Sequence, residues 1–325
     1  MPTMQAIKLD QAGGPEVLKL VKVPLPAAKN GEIVVRNKYA GVNFIDTYYR
    51  SGVYEAQFPT LLGQEAAGEV VEVGEGVEGI TVGDSVAYLG ALNTYAQYSA
   101  VDATQAMKFD SSTVSYETAA AVFLQGLTAH TLVTRSYKVK PDDWVLVQAG
   151  AGGTGRLLVQ LCKQAGAKVI ATVSTQHKAE VAKQAGADYT VLYIDESVPE
   201  AVHKIAPEGV HVVYDGVGKS TFESSIASLR RLGTMVSFGN ASGTVPPVSL
   251  LSLSKNNLVL LRPRLYGYLA TSEERAHHLG ALAELLKDGN LDVQIFKVYE
   301  LEDAAQAHID LQSRKTTGKL LLRIP

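Results

Sequence analysis

The stretch Val145-Leu-Val-Gln-Ala-Gly150-Ala-Gly-Gly-Thr-Gly155-Arg-Leu-Leu-Val-Gln160 decides the reading of this 325-residue chain. An apolar run rich in Val and Leu stops at glycines, and an amphipathic segment follows without a break. That succession predicts a strand, a tight turn and a helix N-terminus. Gly150, Gly152 and Gly155 have the G-x-G-x-x-G spacing. In that pattern glycine makes the turn, lets a phosphate approach the backbone, and lets helix and strand pack closely. The free N–H groups and the dipole at the helix start then face the anion. A dinucleotide pyrophosphate site is the expectation, and a purely structural glycine turn is the plainer alternative.

Outward from this turn the chain alternates. Strands are expected at 144–149, 168–173, 189–193, 210–215, 233–238 and 257–261, and helices at 154–165, 176–185, 197–206 and 219–231. Such alternation implies an α/β unit, a doubly wound parallel sheet covered on both faces. Before it, short alternating runs such as Glu32–Tyr39 and Ala67–Val73 are strand-like and separated by glycine turns, so the first ~120 residues read as a small, mainly β unit. A helix is expected from Tyr116 to Thr134 and another over 272–288. The closing run Lys319-Leu-Leu-Leu-Arg-Ile324 reads as a strand returning to the N-terminal β region. The expected division is a catalytic domain from 1–125 and 264–325 and a cofactor domain from 126–263.

Composition fits an enzyme better than a nucleic-acid binder. Thirty basic against 33 acidic residues leave a net charge of −3, and the pI near 6.2 provides no basic field for a phosphate backbone. No apolar stretch is long enough to span a bilayer, and the N-terminal residues carry no apolar signal segment. A cytoplasmic location is the default expectation. The single Cys162 excludes an intramolecular disulfide and any multi-cysteine zinc site. It falls at an apolar helix position, where a buried inert thiol is expected.

An NAD site places a carboxylate about 20 positions after the glycine turn, on the ribose hydroxyls. Here the second strand is followed by Ser174-Thr-Gln-His-Lys178, with no carboxylate. Hydroxyls and a cation suit a 2′-phosphate, so the pattern favours NADPH over NADH. On the plainer reading Ser174 is a helix N-cap and Lys178 a solvated lysine.

Three further stretches carry a family resemblance: Ala40-Gly-Val-Asn43-Phe-Ile-Asp46-Thr-Tyr48-Tyr-Arg50-Ser-Gly-Val-Tyr54, Pro59-Thr-Leu-Leu-Gly63-Gln-Glu65-Ala-Ala-Gly68, and Val236-Ser-Phe238-Gly-Asn240-Ala-Ser-Gly243. With the glycine turn they resemble the medium-chain dehydrogenase/reductase superfamily and, within it, the zeta-crystallin-like NADPH:quinone oxidoreductases. The resemblance implies a GroES-like β-barrel catalytic domain plus a Rossmann cofactor domain. Zinc alcohol dehydrogenases of the superfamily carry Cys where Ala40 stands and His where Gln64 stands. A catalytic zinc needs about three N, S or O protein ligands in fixed geometry, and the seven histidines here show no ligand spacing. A zinc-free enzyme is therefore expected, with acceptors that already take hydride readily: quinones first, enals or enones as the alternative.

The resemblance further implies that the segment from Asn43 to Tyr48 lines the catalytic cleft. Asn43 would hold the nicotinamide end or the acceptor oxygen, with Phe44 beside it. Tyr48 and Tyr54 would border the acceptor, Tyr48 being the first choice of proton donor, although a Tyr after a strand is more often a core-edge residue. Gln64 would contact the acceptor through its amide, and Asp46 would cap the helix or organise the cleft. Glu65, in an apolar context, is expected to tie loops together by buried hydrogen bonds. For the cofactor the resemblance implies Gly152, Gly153 and Thr154 at the pyrophosphate, and Thr128 and Thr131 near the diphosphate or ribose. Ser174, Lys178 and Tyr193 would surround the 2′-phosphate. Phe238, Gly239 and Asn240 would lie by the nicotinamide, joined by Leu261, Arg262, Pro263 and Arg314. Thr131 stands where Tyr is common and Gly216 where Ser is frequent, so those two contacts depart from the pattern. The apolar sixth strand, as a sheet edge, implies a homodimer. A non-enzymatic role, AU-rich RNA binding or a crystallin-like structural function, is the rival that the acidic pI argues against.

Overall fold

The computed structural model describes residues 2–325. They form two compact units, one of residues up to Gln125 with Thr271–Pro325, the other of Gly126–Ala270. Among the described residues the second unit carries a six-stranded sheet. Its spatial order is Tyr189–Leu192, Lys168–Val173, Trp144–Val147, Val210–Asp215, Leu229–Ser237 and Val259–Leu261, all parallel. In chain order that is 3-2-1-4-5-6, the doubly wound dinucleotide-binding arrangement. Val145, Leu146 and Val147 are wholly buried, as a central strand covered on both faces requires. Leu146, Ile170, Val213 and Met235 join Val202 and Phe222 from the covering helices in one apolar cluster.

Three expectations are corrected here. The helix expected over 219–231 is only Phe222–Ala227, because Leu229 already pairs with Val210 as a strand. The register then slips between Val210 and Val212, with Leu232 in the left-handed region at φ 64°. The helix expected from 116 to 134 is α-helical over Tyr116–Thr131 and continues as a π-turn over Leu132–Ser136. The sixth strand begins at Val259 rather than at 257, Asn257 standing at φ 49°.

The first unit is built on a seven-stranded sheet, mostly antiparallel. Its long strand Glu32–Val42 pairs with Glu65–Val73, Tyr98–Asp102 and the closing strand Lys319–Arg323, where Leu320 faces Val42. A three-stranded sheet of Lys19–Pro24, Thr3–Leu9 and Thr60–Leu61 adjoins it. Inward positions such as Ile33, Val35, Val70, Val86, Leu320 and Leu322 form the core. The helix Ser272–Lys287 starts with a capping box between Thr271 and Glu274. No helix among the described residues is long and apolar enough to cross a membrane.

Candidate active site

The glycine turn has the close packing its spacing requires. A Cβ at Gly155 would lie 2.2 Å from the Ala149 carbonyl oxygen, and one at Gly150 would lie 2.6 Å from Ala171 Cβ. At Gly152 the nearest atom would be Ala149 O at 3.3 Å, a tight contact but a much milder one than at Gly150 or Gly155. Gly152 is the N-cap of the helix Gly153–Gln164. The first-turn N–H groups of Gly153 and Thr154 have no acceptor within their own helix, and these residues fit a diphosphate there. The turn is braced from below. Thr172 Oγ1 accepts the Ala149 N–H at 3.1 Å and donates to Gln148 Oε1 at 2.6 Å. Gln148 donates to Ser225 Oγ, which donates to the buried Asp215.

At the end of the second strand Ser174 is partly buried, but it is not the cap. Thr175 caps the helix Gln176–Gln184, its Oγ1 accepting the Lys178 N–H at 3.3 Å. The Ser174 hydroxyl, nearer the strand, takes no part in the cap. Lys178 is partly buried, and burial pushes its ammonium below the ordinary lysine value. Tyr193 N–H bonds Val173 O at 3.2 Å, so Tyr193 and Ser174 lie at adjacent strand ends. Tyr193 is largely exposed. This juxtaposition of hydroxyl, cation and phenol fits a 2′-phosphate.

Arg262 holds the loop after the fifth strand. Its Nη1 donates to Ser237 O at 2.8 Å and Gly239 O at 3.2 Å, and with the Asn240 amide oriented to satisfy its neighbours, the amide oxygen accepts from Nη2 at 2.9 Å. Arg262 thereby fixes Phe238, Gly239 and Asn240. A Cβ at Gly216 would stand 2.8 Å from the Phe238 ring, so the glycine that departs from the family pattern makes room for that aromatic side chain. Leu261 pairs in register with Val236, and Pro263 follows one residue beyond Arg262. Thr128 is partly buried on its helix. Thr131 is buried, and its hydroxyl is directed at the carbonyls of Leu127 and Thr128 at 2.9 and 3.0 Å, back into its own helix.

In the other unit the segment after the long strand forms the helix Phe44–Ser51. Asp46 Oδ2 accepts the Asn43 N–H at 2.8 Å at its start, and Gly52 closes it at φ 82°. Tyr48 packs edge-on against Tyr54 with ring centroids 5.2 Å apart, and Phe44 lies 6.5 Å from Tyr48. Arg314, in the loop after the helix Ala304–Gln312, takes φ 62°. Gln64 is buried, and its side-chain oxygen has no hydrogen-bond partner among the described residues.

Asn43 is more deeply engaged than the sequence indicates. Its Nδ2 donates to Glu65 Oε1 at 2.7 Å, and its Oδ1 accepts from Lys319 Nζ at 2.7 Å. Lys319 also pairs directly with Glu65, and the two are 1% and 0% exposed. Glu65 Oε2 accepts the Leu124 N–H at 2.6 Å. Glu65 is thus the buried tie expected of it.

A second buried chain meets the same helix. Tyr95 O–H donates to Asp46 Oδ2 at 2.9 Å, and His308 Nε2 is 3.3 Å from the Tyr95 oxygen. Arg50 Nη1 lies 3.4 Å from His308 Nδ1 and Arg50 Nη2 donates to Gln312 Oε1 at 3.0 Å. The arginine can only donate, so the neutral imidazole carries its proton on Nε2 and donates to Tyr95. Burial pushes the Asp46 carboxyl up to about 7 despite its hydrogen bonds from Asn43 and Tyr95. Burial, with the Arg50 charge beside it, holds the His308 imidazole down to about 3.

Sequence reasoning missed Lys319, Tyr95, His308 and Arg50. Lys319 had one signal, a cation opening an otherwise apolar strand. The residues at the zinc-ligand positions of related enzymes are the buried methyl of Ala40 and the amide of Gln64. Among the described residues no three His, Cys, Asp or Glu side chains group as metal ligands. The donor set does not fit a catalytic zinc. Cys162 is buried, and burial pushes its thiol well above the usual range.

Comparison with known proteins gives consistent matches. The zinc-binding dehydrogenase family matches residues 153–286, and the alcohol dehydrogenase GroES-like domain family matches residues 29–139. The chain is 46% identical to quinone oxidoreductase of Salmonella typhimurium over 97% of this chain and 98% of the relative. It is 35% identical to 2-haloacrylate reductase of a Burkholderia species over 98% of each. The solved structure of Escherichia coli quinone oxidoreductase complexed with NADPH superposes with a TM-score of 0.95 at 42% identity, covering 98% of this chain and 99% of that one.

Proposed function

The chain belongs to the quinone oxidoreductase family of the medium-chain dehydrogenases/reductases, and on that premise we propose that it reduces quinones with NADPH by zinc-independent hydride transfer. The net reaction converts quinone, NADPH and a proton to hydroquinone and NADP⁺. When bound, NADPH supplies the hydride from C4 of its nicotinamide.

The N–H groups of Gly153 and Thr154 receive the pyrophosphate above Gly152. Ser174 and Lys178, with Tyr193, take the 2′-phosphate. The loop Phe238–Asn240, fixed by Arg262, borders the nicotinamide. Tyr48 and Tyr54 flank the acceptor, and the side chain of Gln64 turns its amide to the acceptor oxygen. Tyr48 is the proton donor to the developing hydroquinone oxyanion. Asn43 acts by holding the helix start, since its amide is engaged by Lys319 and Glu65.

One observation carries the reading. Where zinc relatives hold a metal, this chain has Ala40 and Gln64, and the neighbouring carboxylate of Glu65 is neutralised by Lys319. Without a Lewis acid to polarise an alcohol, the protein suits an acceptor that is already electron-poor. The likeness to 2-haloacrylate reductase supports a second reading, reduction of an activated carbon–carbon double bond.

The edge strand Val259–Leu261 presents Val259 exposed, with Leu250 and Leu251 also exposed just before it in sequence. Exposed apolar residues on an open sheet edge support a homodimer through that edge. The function is tested by NADPH oxidation against ortho- and para-quinones, enals and primary alcohols, with chelator-treated protein. Turnover of quinones at undiminished rate is expected. Oxidation restricted to alcohols and restored by zinc would refute the assignment.

A further inference from the structure

Lys319 begins the closing strand and is removed from the helix Phe44–Ser51 by more than two hundred positions of chain. Its side chain is nevertheless only 1% exposed and its ammonium meets two groups at one point. It ion-pairs with Glu65 and donates to Asn43 Oδ1 at 2.7 Å. Glu65 in turn accepts from Asn43 Nδ2 at 2.7 Å and from the Leu124 N–H at 2.6 Å. Gln125 Nε2 stands 3.4 Å from Asn43 Oδ1. Asn43 therefore has its amide oxygen and its amide nitrogen clamped by opposite charges, so only one amide orientation satisfies both. Its N–H is bound to Asp46.

The packing is specific to this pair. A Cβ at Gly41 would fall 2.0 Å from Glu65 Oε1, so only glycine at 41 leaves room for the carboxylate. A lysine so buried is costly unless paired and hydrogen-bonded. Apolar residues would fill the same volume without that cost, so the charges answer to something besides core packing. What they fix is the N-terminus of the helix that carries Phe44 and Tyr48.

We propose that Lys319 is a positioning residue for hydride acceptance: with Glu65 it locks the Asn43 amide and thereby sets the helix Phe44–Ser51 that presents Tyr48 to the acceptor. The proposal rests on the functional reading above. The charged groups facing this point are Glu65, Asp46 and Lys319 itself, and the Lys319 charge also favours ionisation of Asp46.

Lys319→Met alone leaves Glu65 buried without its counter-ion, so the test uses Lys319→Met/Glu65→Gln, in which both charges are removed together. Asn43→Ala and the triple variant complete a cycle. Three readouts are taken: NADPH affinity by fluorescence, steady-state kinetics with a para-quinone, and amide hydrogen exchange. The NADPH dissociation constant is expected to stay within about twofold, because the phosphate-binding groups belong to the other unit. A misplacement on the order of 1 Å can cost about 100-fold, so kcat is expected to fall roughly 10- to 100-fold with KM for quinone changed far less. The triple variant is expected to be no worse than the worse of its parents, since both act through one contact. Exchange should quicken across residues 44–51 and remain unchanged across 153–164.

Unchanged exchange in 44–51, or fully additive losses with Asn43→Ala, would overturn the positioning role even if activity fell. Quickened exchange there, together with a wild-type protein that binds NADPH but reduces no quinone, would support the clamp and refute the functional reading instead. The two failures are thus distinguishable.

Discussion

Tyr95 donates its hydroxyl to Asp46 Oδ2 at 2.9 Å, and the same phenol oxygen lies 3.3 Å from His308 Nε2. A carboxyl pushed up and an imidazole held down are thereby joined through one side chain. Both displacements arise first from burial.

Their effects on stability have opposite signs. Asp46 rises from an ordinary 3.8 to about 7, so its contribution is full below about 3.8 and is lost as pH rises toward 7. His308 falls from 6.5 to about 3, so its contribution is full above about 6.5 and is lost as pH falls toward 3. Between about pH 4 and 6.5 the two slopes oppose each other. In Asp46→Asn the imidazole acts alone, and stability should rise with pH across that window, by up to about 1.4 kcal/mol per pH unit. Urea midpoints measured at several pH values check this. Parallel curves for variant and wild type would show that Asp46 does not hold a proton in the folded state.

Lys178→Ala should weaken NADPH far more than NADH. A hydrogen bond to a charged group contributes about 1.5–3 kcal/mol, or roughly 10- to 100-fold in dissociation constant. Burial already lowers the Lys178 ammonium, so NADPH affinity should also fall at high pH sooner than an exposed lysine would allow. Equal losses for both nucleotides, measured by fluorescence titration, would take Lys178 away from the 2′-phosphate.

Two glycines of one turn should behave differently. Gly155→Ala forces a Cβ to within 2.2 Å of Ala149 O, and overpacking of this kind costs roughly 1–3 kcal/mol. Its Tm should fall even without cofactor. Gly152→Ala meets Ala149 O at 3.3 Å, a far milder contact, so its Tm should fall much less, while the added methyl obstructs the approaching phosphate and NADPH affinity drops. Thermal melts with and without NADPH separate the cases. Preserved NADPH stabilisation in Gly152→Ala would move the pyrophosphate elsewhere.

The alternation of apolar runs and helical segments made the doubly wound sheet legible, because central parallel strands are buried on both faces and must be apolar throughout. The glycine turn was legible for the same local reason: spacing and close packing coincide at Gly150 and Gly155. What was not legible comes from distance along the chain. Nothing local to Lys319 marks a partner at Glu65, and nothing near Tyr95 points to Asp46 or His308. Local chemistry also misled once, since Ser174 and Thr175 offer the same hydroxyl and only the backbone path decides that Thr175 is the cap.

The open sheet edge gives a further outcome. Val259→Asp places a charge on the exposed edge strand, which should shift sedimentation at micromolar concentration from dimer toward monomer. A wild-type monomer, or a dimer indifferent to the substitution, would contradict pairing through that edge.

Everything proposed for this protein turns on hydride transfer from the nicotinamide to a quinone without metal. The decisive measurement is single-turnover oxidation of NADPH deuterated at both C4 positions, with a para-quinone, in the presence of a strong chelator. One hydroquinone per NADPH is expected, with a primary isotope effect on the transfer step and no change when chelator is replaced by zinc. Loss of turnover in chelator with recovery on adding zinc, or NADPH oxidation that ignores the quinone, would rule out metal-free quinone reduction.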